Sequence, residues 1–326
     1  MSAVPLEASP RRRRTVPVPL VLFVGASLLY VVTALVTGQG AALTGEGISG
    51  LLGRMPGLGL VALGQTFAIL VGSIDLSVAN LISVSAVLAS FIMQGDPAMM
   101  LPAVLAVLAV AALVGCVNGL IVTRLGVNPL IATLGVGLIL QGLLSASFDN
   151  FAGAVPPVFQ QFAYGTVLGL PMPVVFLLML AVLAAWVLRS TRFGAHIYAV
   201  GGSPDGARLA GIRTARIIMA AHVISSVSAG LTGLYLASRL RSGAPWVGRD
   251  GIYDLESIAV VVIGGTLLAG GRGGVWGTLA GVFLFAVLDA VFNMAGVDAF
   301  AKQVLRGAIV VAAVAVYTVR MKGHVA

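Results

Sequence analysis

Four polar side chains stand inside otherwise apolar stretches of this chain and are the first candidates for chemistry. Asp75 and Ser77 lie in VGSIDLSVAN, and Asp289 and Asn293 lie in FAVLDAVFNM. If these stretches cross a lipid bilayer, each carboxylate costs about 2.5–3.5 kcal/mol on insertion scales, and ionisable groups retained there usually mark a path for ions or substrates. We therefore predict a polar pathway through the membrane at these four residues.

Each pair also has a purely structural interpretation. Asp75 stands where a helix is predicted to begin, so its carboxylate can cap the free backbone N–H groups of that helix, and capping is compatible with a role in the pathway. Asp289 and Asn293 are four residues apart, near the middle of a predicted span, and therefore share one helical face. They form either a proton site or a polar contact with a neighbouring helix.

The composition places these residues in a membrane protein. Hydrophobic residues make up 59% of the 326 positions and charged residues 9%, whereas soluble domains have roughly 45–50% and about 25%. The net charge of +8 comes from Lys and Arg at the ends of apolar runs, where they anchor helices, so we predict a lipid bilayer and no nucleic acid as partner. With the single cysteine Cys116 in an apolar run and no Cys/His/Asp/Glu cluster at ligand spacing, no metal site is predicted.

Enzyme motifs are absent from the sequence. GxxxxGK[ST], GxSxG and HExxH do not occur, and the glycine run GGRGG lacks the lysine of a phosphate-binding loop. We predict a non-catalytic chain without a cofactor. If ATP drives it, a separate polypeptide must supply the ATPase.

The apolar runs predict an all-α polytopic membrane protein with about ten transmembrane helices. Residues 1–15 form a polar tail, residues 16–320 a single membrane domain, and residues 321–326 a second tail. The excess of Lys and Arg on one side predicts cytoplasmic termini, a cytoplasmic loop at 189–216 and an external loop at 148–172. The predicted spans are 16–36, 57–72, 76–93, 99–122, 130–147, 173–188, 217–240, 257–269, 275–294 and 304–319.

Two patterns indicate how these helices pack. Gly115 and Gly119 are four residues apart, a spacing that lets helix backbones approach closely in lipid. The segment LVGS at 70–73 is similar to VIGG at 262–265, and both interrupt apolar runs. Paired glycine-interrupted segments in corresponding halves predict a two-half internal repeat with the pathway at its interface.

The loop at 189–216 contains a predicted short helix at 203–212. Ser203 is a favourable N-cap, Pro204 suits the first helical position, and Asp205 places an acid in the first turn. Ala207 and Gly211 are small and four residues apart, so they are expected to share a face that a partner approaches, with Arg208 off that face. The loop is either a solvated tether that fixes the topology or a docking element for a cytoplasmic partner.

Five segments in order resemble the permease subunits of bacterial ABC importers for simple sugars, in the ribose, xylose and arabinose branch. The resemblance implies a pair of about ten-helix permease subunits, identical or different, a periplasmic substrate-binding protein and a cytoplasmic ATPase, all at the bacterial inner membrane. It also implies that Ser203, Asp205, Ala207, Arg208 and Gly211 belong to the loop that couples to the ATPase. The segments are VGSIDLSVANLISVSAVLAS, GVNPLIATLGVGLILQG, TRFGAHIYAVGGSPDGARLAGI, SIAVVVIGGTLLAGGRGGVWGTLAG and GVDAFAKQVLRGAIVVAAV.

Departures from the family pattern leave the transported solute open. The family usually has glycine where Ser73 and Ala79 stand, and an Asn-rich stretch at 288–290. Permeases for nucleosides or branched-chain amino acids remain alternatives, as does a secondary carrier coupled to protons or sodium through Asp75 or Asp289. The arginine-rich loop favours the ABC permease, because a carrier needs no cytoplasmic docking element.

Overall fold

The computed structural model describes residues 17–322, an almost entirely helical chain. The predicted tail at 1–15 and residues 323–326 of the second tail lie outside the described part. Two short 3-10 turns (Gly40–Leu43, Pro97–Met99) and one hairpin, β1 (Thr166–Val167) with β2 (Leu170–Pro171), accompany the helices. The helices are α1 (Val18–Val36), α2 (Gly45–Leu52), α3 (Met55–Leu70), α4 (Val78–Met93), α5 (Met100–Arg124), α6 (Pro129–Ser147), α7 (Pro157–Tyr164), α8 (Met172–Ser190), α9 (Arg192–Gly202), α10 (Pro204–Leu209), α11 (Thr214–Leu240), α12 (Val247–Asp250), α13 (Tyr253–Ile263), α14 (Val275–Met294) and α15 (Ala299–Lys322).

Each of the ten predicted spans corresponds to one of these helices. Seven helical stretches of the described chain are long and apolar enough to cross a bilayer, and α4 is a shorter apolar helix. On α6, Pro129 occupies the first turn and the Asn128 side chain caps the helix by accepting a hydrogen bond from the Leu130 N–H at 2.9 Å. The prediction of an all-α polytopic membrane protein is confirmed.

Helix α11 lies at the centre of the molecule and packs against α3, α4 and α5. Gly115 and Gly119 of α5 allow the close approach that their spacing predicts: a Cβ atom at these positions would lie 2.6 Å from Val223 Cα and 2.8 Å from Met219 Cα. At the edge of the bundle, α1 covers α14, where the Phe23 and Phe283 rings stack 4.7 Å apart. Small residues inside and large apolar residues outside are the pattern expected of helices packed in lipid.

Two interrupted helices meet at the face that carries α9 and α10. The chain breaks after α3 and again after α13, at the two segments whose similarity predicts a repeat. The Gly271 N–H donates to the Leu70 carbonyl at 2.9 Å, which joins the two breaks. One turn before the first break, the Thr66 and Thr278 hydroxyls bond to each other at 2.7 Å between α3 and α14. The two breaks thus pair with each other, while the two-half repeat stays a prediction.

The connections contain more structure than the sequence predicts. The loop at 189–216 holds two helices, α9 and α10, rather than one short helix. The loop at 148–172 contains α7 and the β1–β2 hairpin, and the segment between α11 and α13 contains α12. These short elements carry little periodicity of their own and are fixed by contacts with the bundle.

Candidate translocation and coupling sites

The Asp75 carboxylate lies in the break between α3 and α4 and is completely buried. Its Oδ1 atom accepts hydrogen bonds from both the Ser77 N–H at 3.0 Å and the Ser77 hydroxyl at 2.6 Å. Its Oδ2 atom accepts a long hydrogen bond of 3.5 Å from the Ser226 hydroxyl of α11. The Ser77 hydroxyl in turn accepts from the Asn118 amide of α5 at 2.9 Å. The predicted pair Asp75 and Ser77 therefore forms one hydrogen-bonded unit that three helices enclose.

Further polar groups surround this unit. His222, one turn before Ser226 on α11, lies 2.8 Å from the Ser73 hydroxyl through its Nε2 atom and is fully buried. Three buried atoms near it have no hydrogen-bond partner among residues 17–322: His222 Nδ1, Ser225 Oγ and Asn118 Oδ1. Buried polar atoms are normally satisfied by protein or by ordered water. The break between α3 and α4 is thus the centre of a polar core within the bundle.

The hydrogen bonds and burial of Asp75 bear on both of its interpretations, helix capping and a role in the pathway. Its carboxylate accepts a hydrogen bond from the N–H of Ser77, the residue immediately before α4. The side chain of Asp75 thus closes a turn with the backbone two residues further on. It makes no hydrogen bond to the first-turn N–H groups of α4 within the described chain. Asp75 therefore organises the turn before the helix, and its complete burial keeps it from facing an open passage in this structure.

Replacing Asp75 by asparagine is expected to preserve the fold and most of the transport activity. Both short hydrogen bonds end on Oδ1, which an amide oxygen replaces, and the amide nitrogen can donate to the Ser226 hydroxyl. Asp75→Leu instead leaves the Ser77 N–H and hydroxyl without an acceptor, at a cost of about 1–3 kcal/mol for each buried group. Membrane yield and transport of the two variants test this, and a well-folded Asp75→Asn chain without transport would assign the charge itself to the pathway.

The second predicted pair, Asp289 and Asn293, lies at the opposite end of the bundle. Asp289 is five residues before the end of α14, so the expectation that it stands near the middle of the span is wrong. It forms ion pairs with Arg54 and with Arg306, the latter at 2.8 Å, and Arg306 also lies 3.3 Å from Glu256. Asn293 donates to the Asp289 carbonyl at 2.7 Å, which confirms that they share a face.

The charges in this group, which we call the Asp289 ion cluster (Arg54, Glu256, Asp289, Arg306), tie four helices together. Asp289 is compensated by two arginines from α15 and the start of α3, and Glu256 of α13 has a side chain only 9% exposed. The structural interpretation of Asp289, a polar contact with neighbouring helices, therefore fits better than a free proton site. The cluster borders a cavity of about 150 Å³.

Removing the Asp289 carboxylate is expected to destabilise the chain measurably. In Asp289→Ala two arginines, each no more than 39% exposed, lose their shared counter-charge. The free energy of unfolding is expected to fall by about 1–3 kcal/mol. This is less than for a fully buried pair, because water reaches the cluster. Asp205→Ala is the matched control, since Asp205 pairs with Arg208 at 3.5 Å but is 90% exposed. Melting temperatures in detergent should fall for Asp289→Ala only, and equal melting temperatures would contradict the buried role of the cluster.

The loop at 189–216 has the N-cap that its sequence predicts. The Ser203 hydroxyl accepts a hydrogen bond from the Gly206 N–H at 3.1 Å, Pro204 occupies the first turn, and Asp205 is exposed beside it. Helix α10 ends in a glycine turn in which Gly211 adopts φ +80° and the Ile212 N–H donates to the Ala207 carbonyl at 3.0 Å. Gly211 is therefore needed for the left-handed turn that ends the helix.

The face that α10 presents differs from the expected one. Ala207 is only 5% exposed and packs into the core of this chain, so the expectation that Ala207 and Gly211 together face a partner is wrong. Leu209, in contrast, is 91% exposed, and the side chain of Arg208 beside it is 70% exposed. An apolar side chain within a short polar helix is the sequence signal for this face. Leu209 and Arg208 form the surface that we call the α10 docking face.

Helix α9 connects the docking face to the two helix breaks. Its last turn presses against them so closely that a Cβ atom on Gly201 would lie 1.8 Å from the Leu70 carbonyl oxygen and 2.5 Å from the Gly271 nitrogen. The Tyr198 hydroxyl also donates to the Gly273 carbonyl at 3.0 Å. Helix α9 is therefore held against both breaks by direct backbone contacts.

Comparisons with known proteins place this architecture in a family. Residues 47–314 match the family described as branched-chain amino acid transport system / permease component. The chain is 34% identical over 297 residues to the ribose import permease protein of Bacillus subtilis, covering 90% of each chain. It is 36% identical over 267 residues to the ribose import permease protein of Escherichia coli K12, covering 79% of this chain and 81% of the relative.

A third relative is named for a different sugar, D-allose. The D-allose transport system permease protein of Escherichia coli K12 is 32% identical over 257 residues, covering 78% of each chain. No solved structure matches the chain. The resemblance predicted from the sequence is confirmed: this chain belongs to the permease-component family that includes these sugar permeases of ABC importers.

Proposed function

We propose that this protein is the transmembrane subunit of an ATP-driven importer that moves a simple sugar such as a pentose across the bacterial inner membrane. A separate cytoplasmic ATPase docks on α10, a periplasmic substrate-binding protein delivers the sugar, and a second permease chain completes the transporter. The observation that carries the proposal is the similarity to the ribose import permease of Bacillus subtilis along 90% of both chains.

The geometry of the coupling loop supports the ATPase partner. The α10 docking face offers one exposed leucine beside an exposed arginine, and α9 links this face to the breaks in two transmembrane segments. A solvated tether needs neither the apolar side chain nor the tight backbone contact. The face and its rigid support suit a partner whose movement must change the membrane helices.

The structure offers little support for an ion-coupled carrier. Asp289 is held between Arg54 and Arg306. Asp75 is fully buried, and both its oxygen atoms accept hydrogen bonds from hydroxyl groups. A carrier needs a carboxylate that exchanges ions with water on each side in turn. Among the described residues, neither of the two carboxylates singled out for that role meets this requirement.

The proposed orientation, with both termini in the cytoplasm, puts Ser203 on the inner side. Cys116 is the only cysteine, so a Cys116→Ala background allows a single thiol to be placed at Ser203. We expect an impermeant thiol reagent to label Ser203→Cys in inside-out vesicles and to leave it unlabelled in intact spheroplasts. Labelling in intact spheroplasts but not in inside-out vesicles would show that the proposed orientation is wrong.

A pull-down tests the proposed partners directly. The tagged chain, purified from its native membranes in mild detergent, is expected to bring with it a polypeptide that hydrolyses ATP. Adding the substrate-binding protein loaded with ribose should stimulate that hydrolysis. A chain that purifies without any ATPase, and still transports sugar when reconstituted alone, would overturn the proposal in favour of a carrier.

A further inference from the structure

An irregular stretch of backbone followed by the one-turn helix α12 runs along α4 into the bundle. Gly243 presses against α4 at Ser90, where a Cβ atom would lie 2.5 Å from the hydroxyl oxygen, and Gly248 presses against Ala79, where a Cβ atom would lie 1.8 Å from the carbonyl oxygen. From Ser90 back to Ala79 the helix spans about 16 Å at 1.5 Å per residue. The segment at 243–250, which we call the re-entrant segment, therefore follows α4 for about three turns.

Hydrogen bonds hold this segment in place at both ends. At the outer end, the Gly243 and Ala152 backbones exchange hydrogen bonds of 2.9 and 3.1 Å. At the deep end, the Gly248 N–H donates to the Ser83 hydroxyl at 2.9 Å. Irregular backbone at membrane depth is tolerated only where it is buried in protein or lines a water-filled cavity. Gly248 is buried against α4, whereas Arg249 beside it is exposed.

A pocket of about 180 Å³ lies on that exposed side. It runs between the re-entrant segment, α4 and the outer half of α6. Pockets for drug-sized ligands measure roughly 300–1,000 Å³, so this one is suited to a single small ring. We call it the re-entrant pocket, and its lining consists of Asn80, Gln141, Ser145, Phe148, Asp149, Pro245, Trp246 and Arg249.

The polarity of the pocket contrasts with the lipid-facing surface beside it. On α6, Leu138 and Leu143 are 58% and 64% exposed, whereas Gln141 and Ser145 open into the pocket. Within the described chain, the Asn80, Gln141 and Asp149 side chains make no hydrogen bond, so their donors and acceptors are available. Polar side chains in a membrane domain that face neither lipid nor a partner group mark a substrate path.

The chemistry of this lining fits a neutral polyhydroxylated ring. Planar amides at Asn80 and Gln141 both donate and accept, Asp149 accepts and Arg249 donates, which matches the mixed donor and acceptor character of sugar hydroxyl groups. Trp246 adds a flat apolar face for the C–H side of a sugar ring, and Phe151 braces it edge-on at 5.3 Å.

The pocket leads towards the polar core at the break between α3 and α4. A Cβ atom on Gly137 would touch both the Asn80 amide and Ser77 Cα at 3.4 Å, so Asn80 and Ser77 adjoin at the same level of α6. Ser77 is the partner of Asp75. Polar groups therefore line the pocket from Asp149 to Asn80, and Ser77 next to Asn80 belongs to the buried break.

We propose that the re-entrant pocket is the part of the translocation path that contacts the sugar on its way in from the outer face. This inference rests on the proposed function and places the path at Asn80, Gln141 and Trp246. Asp75 lies at the inner end of this path, while the Asp289 ion cluster lies outside it.

Thiol labelling tests the pocket independently of transport. In the Cys116→Ala background, an impermeant maleimide added from outside is expected to label Gln141→Cys and Ser145→Cys. The matched control is Leu143→Cys, between them on α6 and 64% exposed, which faces lipid and should stay unlabelled. If Gln141→Cys is no more reactive than Leu143→Cys, the pocket holds no water and the inference is overturned.

Transport by the complete complex then tests the substrate class. Ribose, allose and galactose are offered separately to vesicles that contain the chain, its ATPase and its binding protein. Gln141→Leu should slow the transported sugar roughly tenfold, as loss of one hydrogen bond predicts, and should change the ratio among the sugars. Leu143→Ala should change neither rate nor ratio.

The outcomes separate this inference from the proposed function. A wild-type complex that moves neither these three sugars nor any other pentose or hexose refutes the proposed function, and with it the sugar assigned to the pocket. A wild-type complex that moves a sugar, with Gln141→Leu and Trp246→Ala unchanged in both rate and selectivity, refutes the inference alone. Rescue by Trp246→Phe after loss in Trp246→Ala supports the stacking contact.

Discussion

Replacing Gly201 by alanine is expected to abolish transport almost completely. The added Cβ atom would lie 1.8 Å from the Leu70 carbonyl oxygen and 2.5 Å from the Gly271 nitrogen, and these two atoms form the hydrogen bond that joins the helix breaks. Both contacts are with backbone, so no side chain can rotate away. Either α9 moves off the bundle or the bond between the breaks is lost, at a cost of roughly 1–3 kcal/mol or more.

The neighbouring glycine provides a matched control. A Cβ atom on Gly202 would have no atom of the described chain within 4 Å, and the residue is exposed, so Gly202→Ala should stay within about 0.5 kcal/mol of the parent chain. ATP hydrolysis, transport and melting temperature are measured for both. If the Gly201→Ala chain keeps its ATPase and hydrolyses ATP without moving sugar, the substitution has uncoupled ATP hydrolysis from transport. Equal transport by the two variants would contradict the contact between α9 and the breaks.

A charge at Leu209 is expected to remove the ATPase from the complex. Leu209 is 91% exposed on α10, and burying a leucine in a partner's groove contributes about 1.5–3 kcal/mol. Leu209→Asp loses this contribution and buries a charge in its place, so ATPase affinity should fall at least about tenfold. Arg208→Ala should have a mild effect, because an exposed ion pair contributes at most about 1 kcal/mol.

The other end of the molecule supplies the control for this substitution. Leu168, in the turn between β1 and β2, is 99% exposed with φ +52°, and aspartate tolerates such a left-handed backbone. Leu168→Asp should leave co-purification of the ATPase unchanged. If Leu209→Asp and Leu168→Asp retain the ATPase equally well, the loop is a tether and the docking assignment fails.

The transmembrane helices can be predicted closely from the sequence, whereas the connections cannot. Helix α6 is expected at 130–147 and occupies Pro129–Ser147, because a long apolar run and an Asn-Pro start fix it locally. Helix α9 escapes prediction because its two terminal glycines indicate a break. It is stabilised by contact with Leu70 and Gly271, which lie far away in sequence.

Prediction from the sequence is limited in the same way for the candidate sites: contacts between residues close in sequence can be predicted, and contacts between distant residues cannot. Asp75 and Ser77 are predictable as a pair because they are close in sequence, and they bond to each other. The ion partners of Asp289 and the depth of the re-entrant segment depend on residues up to 235 positions apart, and neither spacing nor composition specifies such contacts. The opposite burial of Ala207 and Leu209 depends on how α10 lies against the bundle, which a helical pattern of six residues does not determine.

Transport in sealed vesicles tests the central claim most directly. The chain is reconstituted alone, with its ATPase, and with both the ATPase and the substrate-binding protein, and uptake of labelled ribose, allose and galactose is followed with ATP on the ATPase side. Only the complete set with ATP is predicted to accumulate one of the three sugars. Accumulation by the chain alone, driven by a proton or sodium gradient, would contradict the account.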